Sequence, residues 1–408
     1  MPHRRDEGRA PAAHGGDAFG ALPDAVVQHV LGFLPALDAV RTSVLARRWR
    51  ALWRSVPRLR IVDDKLPGGV ARLNWFVNRV LLLREPGCAL VEFQFDLYRL
   101  SFLDRVYLDQ WIRHALTCHV RVLQVRTYSS DPAELADWPL FSQHLVRLVL
   151  DGVALEGSFL DFSGCPVLED LEITDCKINA DKIFSQSLKH LNITTCELCW
   201  DFVPTHISAP NLISLQLDDY WGVTPILESM PSLETASLKL GHGNENYCDF
   251  CDKGVSGVST SLMAAMYCAK ICRNDNVSVL LGGLSSATHL ELKASPVMVT
   301  FKRDLRCCPT FSQLKTLVLN DWCLVDLHTL PYFLQHTPIL EKLVLELSKK
   351  LKSPVEIQGT DLMERPLTLR QLNIVEVKCQ IIDERVHNIL EILCSWSIDL
   401  KKINVPEI

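Results

Sequence analysis

One recurrence constrains this chain more than any other feature. An apolar residue is followed by two others, an apolar, one other, and an apolar. Clear copies are Leu145-Leu148-Leu150, Leu168-Leu171-Ile173, Leu188-Leu191-Ile193, Leu212-Leu215-Leu217, Leu314-Leu317-Leu319, Leu340-Leu343-Leu345 and Leu369-Leu372-Ile374. Weaker copies are Leu90-Phe93-Phe95, Val120-Leu123-Val125, Leu233-Ala236-Leu238 and Ala287-Leu290-Leu292. The steps are 30, 25, 23, 20, 24, 21, 54, 27, 26 and 29 residues, and the step of 54 leaves room for one degraded copy around residues 241–286. Each segment suits a short strand whose alternate side chains share one face. No such unit buries that face alone, so neighbours must stack into a parallel sheet over a continuous core. Proline often precedes the next unit, as at Pro166, Pro210, Pro231 and Pro338, where its missing N–H costs the strand nothing.

This is the leucine-rich-repeat pattern with irregular unit length. Ordinary amphipathic strands of an α/β domain would not recur so often at 20 to 30 residues. The expected fold is α/β: a solenoid with a parallel sheet on its concave face and helices on its convex face. Apolar stripes predict helices at 70–84 (Val70, Leu73, Val77, Val80, Leu81) and 108–116 (Leu108, Trp111, Ile112, Ala115, Leu116). The third position of each unit should face the concave side. It holds Arg147, Asp170, His190, Ser214, Thr316, Lys342 and Gln371. That set is mixed in charge and poor in aromatics, which suits a target protein and no particular ligand.

The stretch before the first repeat has another period. Leu22-Pro23-Asp24 opens a helix striped with Val27, Val30, Leu31 and Leu34, and Pro35 stops it. Asp38 can cap a second helix carrying Val40, Val44, Leu45, Ala51 and Leu52. A unit of about forty residues rarely stands without a partner or a staple. Its apolar excess must be buried on the repeats, on another protein, or on both. From Arg41 to Arg60 there are seven arginines and no acid. They form either a solvated basic face or a surface for an acidic protein. Trp49 and Trp53 sit at helical spacing and suit packing rather than nucleic-acid stacking.

Leu22-Pro23-Asp24, Leu31, Phe33-Leu34-Pro35, the run from Ala39 to Leu45, and Arg48-Trp49-Arg50-x-Leu52-Trp53 resemble an F-box. Placed before irregular repeats, they resemble the plant F-box/LRR family. The tail, with Leu372-Asn373-Ile374, Asp383-Glu384-Arg385-Val386 and Ile389 to Leu393, resembles the FBD-type end of that family. The resemblance implies a disordered lead-in over 1–18, a small all-α F-box over 19–60, a solenoid over 61–366 and an FBD-like cap over 367–408. It further implies docking on the Skp-type adaptor of a cullin–RING ubiquitin ligase. The contacts carried over by position are Leu22, Pro23, Leu31, Leu34, Val44 and Leu45, with Trp49 and Trp53 nearer the join to the repeats. The repeats would hold a target protein, and the chain would supply no catalysis. The competing expectation is a repeat protein, scaffold or inhibitor, whose first helices cap the solenoid. A stripe left open favours the ligase reading and a covered one favours the cap.

Other classes find little support. The net charge of -6 gives no general case for nucleic acid or membrane. No apolar run approaches a membrane span, and residues 1–18 lack the apolar core of a secretory signal. The expected compartment is cytoplasm or nucleus, with the fifteen cysteines reduced. Cys248-x-x-Cys251 followed by Cys268 and Cys272 approaches a zinc-ribbon spacing, but unligated thiols are the plainer expectation in so cysteine-rich a chain. Gly241 to Asn246 begins like a dinucleotide-binding loop and lacks its third glycine. No cofactor is expected.

Overall fold

The computed structural model describes residues 22–63, 69–98, 105–129, 132–198, 204–241, 279–295, 300–324, 329–347, 371–379, 386, 387, 389, 391, 393, 403 and 404. Their main feature is a 13-stranded parallel sheet whose strands follow chain order. They are β1 (Arg58–Val62), β2 (Glu92–Leu97), β3 (Val122–Thr127), β4 (Arg147–Asp151), β5 (Asp170–Thr174), β6 (His190–Thr194) and β7 (Ser214–Asp218). They continue as β8 (Thr235–Leu240), β9 (His289–Ala294), β10 (Thr316–Asn320), β11 (Lys342–Glu346), β12 (Ile374–Lys378) and β13 (Ile403–Asn404). The repeat leucines stack in register: Leu171 pairs with Leu191 and Leu191 with Leu215, while Ile173, Ile193 and Leu217 form the next tier. All six are buried. No helix among the described residues is long and apolar enough to cross a membrane.

Three features correct the sequence reading of the repeats. First, β8 pairs directly with β9. The long step therefore interposes no unit between them. The chain returns at 279–281, where the buried Asp304 carboxylate accepts the backbone N–H groups of Val279, Leu280 and Leu281 at 3.0, 2.6 and 2.9 Å. Second, the last expected copy is displaced. Leu343 pairs with Val375 and Leu345 with Val377, so the unit is Leu372-Val375-Val377 and Ile374 is exposed. Two overlapping frames fit that stretch, and only this one continues the ladder. The third position is then Ile374, not Gln371. Third, two strands were missed. Val56-Leu59-Ile61 fits the unit and supplies β1, which straddles the expected boundary at residue 60. Leu400-Ile403-Val405 fits it too, and Ile403 pairs with Val375.

The back of the coil is not helical throughout. Helices α1 (Asp24–Leu31), α2 (Ala36–Arg41) and α3 (Trp49–Leu52) precede the sheet. α4 (Gly69–Leu82) and α5 (Arg105–Thr117) follow β1 and β2, and α6 (Thr300–Leu305) and α7 (Thr329–Leu334) follow β9 and β10. Between β3 and β8 short strands replace helices. Ala133–Leu135, Val153–Glu156, Lys177–Asn179, Glu197–Leu198 and Trp221–Gly222 form a second parallel sheet. Lys182–Phe184, His206–Ser208 and Ile226–Leu227 form a third. Length is the reason. Steps of 20 to 25 residues leave too little chain for two turns and a helix, while steps of 26 to 30 admit one. At the C-terminal end Val386, Ile389 and Leu393 are helical and buried, at the spacing of one helix face.

A repeated corner sets the turn from sheet to back. Gly152, Asp175, Thr195 and Asp219 follow β4 to β7 with left-handed φ of 71, 49, 52 and 49°. Each donates its N–H to a carbonyl of the next strand, as Asp175 does to Thr194 at 3.1 Å and Thr195 to Asp218 at 2.9 Å. One residue later Cys176 and Cys196 aim their thiols at the Leu150 and Ile173 carbonyls of the preceding unit, at 3.5 and 3.4 Å. Glycine is required at the first corner, since a Cβ on Gly152 would lie 2.1 Å from the Thr127 carbonyl oxygen. Gly152→Ala is expected to cost about 2 kcal/mol or more, whereas Thr195→Asn, relieving a β-branched residue at positive φ, should gain about 1 kcal/mol. Urea denaturation of the two variants checks both signs.

Candidate protein-docking surfaces

The first surface lies on the amino-terminal helices. Pro23 leads into α1 and Asp24 occupies its first turn. Val27 and Leu31 face inward and are buried, and the Gln28 amide donates to Ser55 Oγ at 2.8 Å. Val26, Val30 and Phe33 face outward, at spacings of four and three. Pro35, not Asp38, precedes α2. Asp38 sits inside its first turn, where the helix dipole favours an acid, and pairs with Arg41 at 3.2 Å. The expected single second helix is broken into α2, a 3-10 turn at Thr42–Val44, α3 and another 3-10 turn at Trp53–Ser55. The break has a local cause: the Thr42 hydroxyl donates to the Ala39 carbonyl at 2.7 Å, and Thr42, Ser43 and Val44 are weak helix formers.

The six carried-over contact residues do not share one open face. Val44 and Leu45 are 83% and 71% exposed, and Pro23 is exposed. Leu22 and Leu34 are half-buried against the core. Leu31 is 2% exposed and belongs to the interior, because the inward face of α1 packs on α3 and the Trp53 turn. Trp53 is buried and Trp49 half-buried in the same packing. Ala36, Ala39 and Val56 carry it on to Leu59 and Ile61 of β1, and Pro35 bridges to Arg60 in the manner of a further strand. So the inner face of these helices packs toward β1, while Val26, Val30 and Phe33 face away from it.

Internal pairing uses up much of the basic run. Arg48 Nε donates to Asp24 at 2.6 Å and its Nη2 to the Leu22 carbonyl at 2.5 Å, tying the turn before α3 to the start of α1. Arg41, Arg58 and Arg60 pair with Asp38, Glu92 and Asp96. Arg54 lies over the Trp53 ring. Arg47 and Arg50 remain exposed on the outer side.

The second surface is the polar face of the sheet, the one expected to be concave. The register puts Arg147, Asp170, His190 and Ser214 side by side on β4 to β7, and Thr316 and Lys342 on β10 and β11. Thr235 and His289 complete the row between them. Two parallel rows were not singled out from the sequence: Glu172, Asn192, Gln216, Ser237 and Glu291, then Asp151, Thr174, Thr194, Asp218, Lys239 and Lys293. Strand alternation would have found both, two and four residues beyond each third position.

These rows neutralise one another. Arg147 meets Glu172 at 2.9 Å, His190 Nδ1 meets Asp170 at 2.8 Å, Lys239 meets Asp218 at 2.9 Å and Lys342 meets Glu376 at 2.7 Å. Lys293 spans Glu291 and Glu346 at 2.5 and 2.7 Å, and Lys378 joins Glu346 at 3.1 Å. Burial alone would lower the Lys293 ammonium, but the two carboxylates outweigh it and hold the group above its usual range. At the other end Asp96 is 2% exposed and accepts from Arg60 at 2.7 Å and Gln94 at 2.8 Å.

Chemistry of other kinds is sparsely represented. Burial pushes the Cys165 thiol up to about 11 and the Cys308 thiol up to about 12, and raises Cys176 and Cys323 as well, so these thiols stay protonated and weakly nucleophilic. Among the described residues no group of three or more His, Cys, Asp or Glu side chains could hold a metal. Cys248, Cys251, Cys268 and Cys272 lie outside the described residues, as do His242 to Asn246 of the glycine motif.

Comparison with known proteins places these surfaces in a context. Residues 19–61 match the F-box domain family. The chain is 27% identical over 427 residues to an F-box/FBD/LRR-repeat protein of Arabidopsis thaliana, covering 95% of this chain and 92% of that one. It is 29% identical over 356 residues to a meiotic F-box protein of Oryza sativa subsp. japonica, covering 81% and 71%. An F-box/LRR-repeat protein of Arabidopsis thaliana is 27% identical over 347 residues, covering 81% and 73%. The chain therefore carries an F-box domain, and F-box, FBD and LRR-repeat proteins of plants are its homologues over most of its length.

Asp96→Asn should weaken the pairing of β1 with β2. It removes a buried charge that holds Arg60, at an expected cost of about 2 kcal/mol. Thermal unfolding of the variant beside the parent measures it.

Proposed function

We propose that this chain is the substrate-recognition subunit of an SCF-type cullin–RING ubiquitin ligase. The F-box docks on the Skp-type adaptor and the repeats hold a target protein, so that the ligase bound through the adaptor modifies it. The chain contributes proximity and no covalent chemistry. One observation carries the reading: Val26 and Val30 on α1, and Phe33, Val44 and Leu45 in the turns after α1 and α2, are 43%, 52%, 60%, 83% and 71% exposed. So many exposed apolar side chains on so small a unit mark a protein interaction site.

The competing reading, a scaffold whose first helices merely cap the solenoid, accounts for the inner face alone. The cap is present, in Ala36, Ala39 and Val56 against β1, and it leaves the outer face unexplained. The proposed adaptor contacts are accordingly Pro23, Val44 and Leu45, with Leu22 and Leu34 at the margin. Leu31 supports them from within. The row from Arg147 through Asp170, His190 and Ser214 to Thr316 and Lys342 is proposed to face the target.

The test is retention of the full chain on an immobilised Skp-type adaptor. Wild type should be retained. Val44→Asp/Leu45→Asp should bind on the order of 100-fold more weakly while staying folded, since both side chains lie in solvent. Leu31→Asp is a poor probe, because it would place a charge in the core. Failure of the folded wild type to bind overturns the proposal.

A further inference from the structure

We infer that the rim of the concave sheet, from the Tyr98–Tyr128 pair to Asp219, is a docking surface for an extended, lysine- or arginine-bearing segment of the target protein. The inference deepens the target-binding reading above and rests on it.

Tyr98 and Tyr128 directly follow β2 and β3. Their rings stack at 4.5 Å with planes 12° apart, yet they stay 48% and 50% exposed. Buried tyrosines are ordinary packing; an exposed stacked pair beside a binding face has the character of an anchor. The rim continues through Asp151 at the end of β4 and the corner residues Asp175 and Asp219 after β5 and β7.

These three carboxylates differ from the other acids of the face. Asp96, Glu172, Asp218, Glu291, Glu346 and Glu376 are each paired with a cation, and Asp170 with the His190 ring. Asp151, Asp175 and Asp219 make no ion pair and accept no side-chain hydrogen bond among the described residues. Arg126 is the register partner of Asp151 and partly offsets its charge, and it lies 3.7 Å from Asp96. Burial and then the Asp175 carboxylate raise the Asp151 carboxyl. Burial, then Asp96, raise the Tyr128 phenol, with Asp151 contributing. Arg126 opposes both shifts, so the acidic excess along this edge rests chiefly on Asp175 and Asp219. The aromatic faces and the unpaired acids select the same ligand group, a side-chain cation, the one by its ring quadrupole and the others by charge.

Geometry sets the length of the segment. From Tyr128 to Asp219 the rim crosses four strand spacings of about 4.8 Å, roughly 19 Å in all. An extended chain covers that in about six residues.

The test uses the purified full chain and two fluorescein-labelled peptides of about eight residues, one alternating lysine with serine, the other glutamate with serine. Anisotropy should show the lysine peptide binding, weakening with added salt, and the glutamate peptide not binding. Asp175→Asn/Asp219→Asn alters only exposed side chains and should weaken the lysine peptide by about 10-fold. Tyr98→Ala/Tyr128→Ala, checked for folding by circular dichroism, should do the same. No binding by the folded wild type, or undiminished binding by the Asn variant, overturns the inference. Adaptor retention on the same preparations reads the ligase proposal separately, because neither variant touches the F-box.

Discussion

The stacking of alternate apolar side chains between neighbouring parallel strands is the interaction on which everything else rests. A single unit offers three apolar residues and orders more than twenty. Burying each side chain releases roughly 1.5–3 kcal/mol, while each ordered residue costs about 1–2 kcal/mol in backbone entropy alone. One unit is therefore not stable by itself, and its two faces must both be covered by neighbours. That need propagates along the sheet until it reaches an end. At the first end the F-box meets it: Ala36, Ala39 and Val56 lie against β1, and Pro35 bridges to Arg60 where a further strand would pair. Docked in this way, the F-box is part of the core beneath the sheet as well as a separate surface.

The same stacking leaves the back of the coil free to vary. Only the strand and the corner after it must repeat, and they do so closely from β4 to β7 through left-handed residues at Gly152, Asp175, Thr195 and Asp219. Beyond the corner, chain length decides. Short units run as extended segments that pair with those of their neighbours, giving the second and third sheets. Longer units have slack enough for a helix, as α5 shows after β2. The long excursion between β8 and β9 is tolerated for the same reason, since these strands pair as directly as any others.

What could be read from the sequence follows from which constraints are local. The leucine tiers, the α4 and α5 stripes and the F-box match lie in residue type and spacing, so they were legible. Register was legible only where one frame fits; at Leu372 two frames compete, and long-range pairing with Leu343 and Leu345 decides between them. β1 was hidden because Val56-Leu59-Ile61 stands alone beside a stronger helical pattern. The burial of Leu31 was not legible because a helical stripe tells which residues share a face and is silent about what that face meets. The exposed residues Val26 and Phe33 flank the stripe, and only the packing of α1 on α3 turns them outward. The acidic rim was missed because its acids are corner residues outside the strand pattern.

The two surfaces differ in kind, and the difference suits different partnerships. The outer F-box face is apolar, the composition of an interface that stays assembled. The face of the sheet carries ion pairs that satisfy one another, so the proposed target gains little by displacing them and would be recognised by the few groups left unpaired. Between the two lies Arg60. Its backbone pairs with Pro35 at the base of α2, and its side chain is held by the buried Asp96 on the concave side. One residue thus links the F-box to the first strands of the sheet. For the proposed function such a joint matters, because bringing a target within reach is useful only when the direction of that reach is held constant.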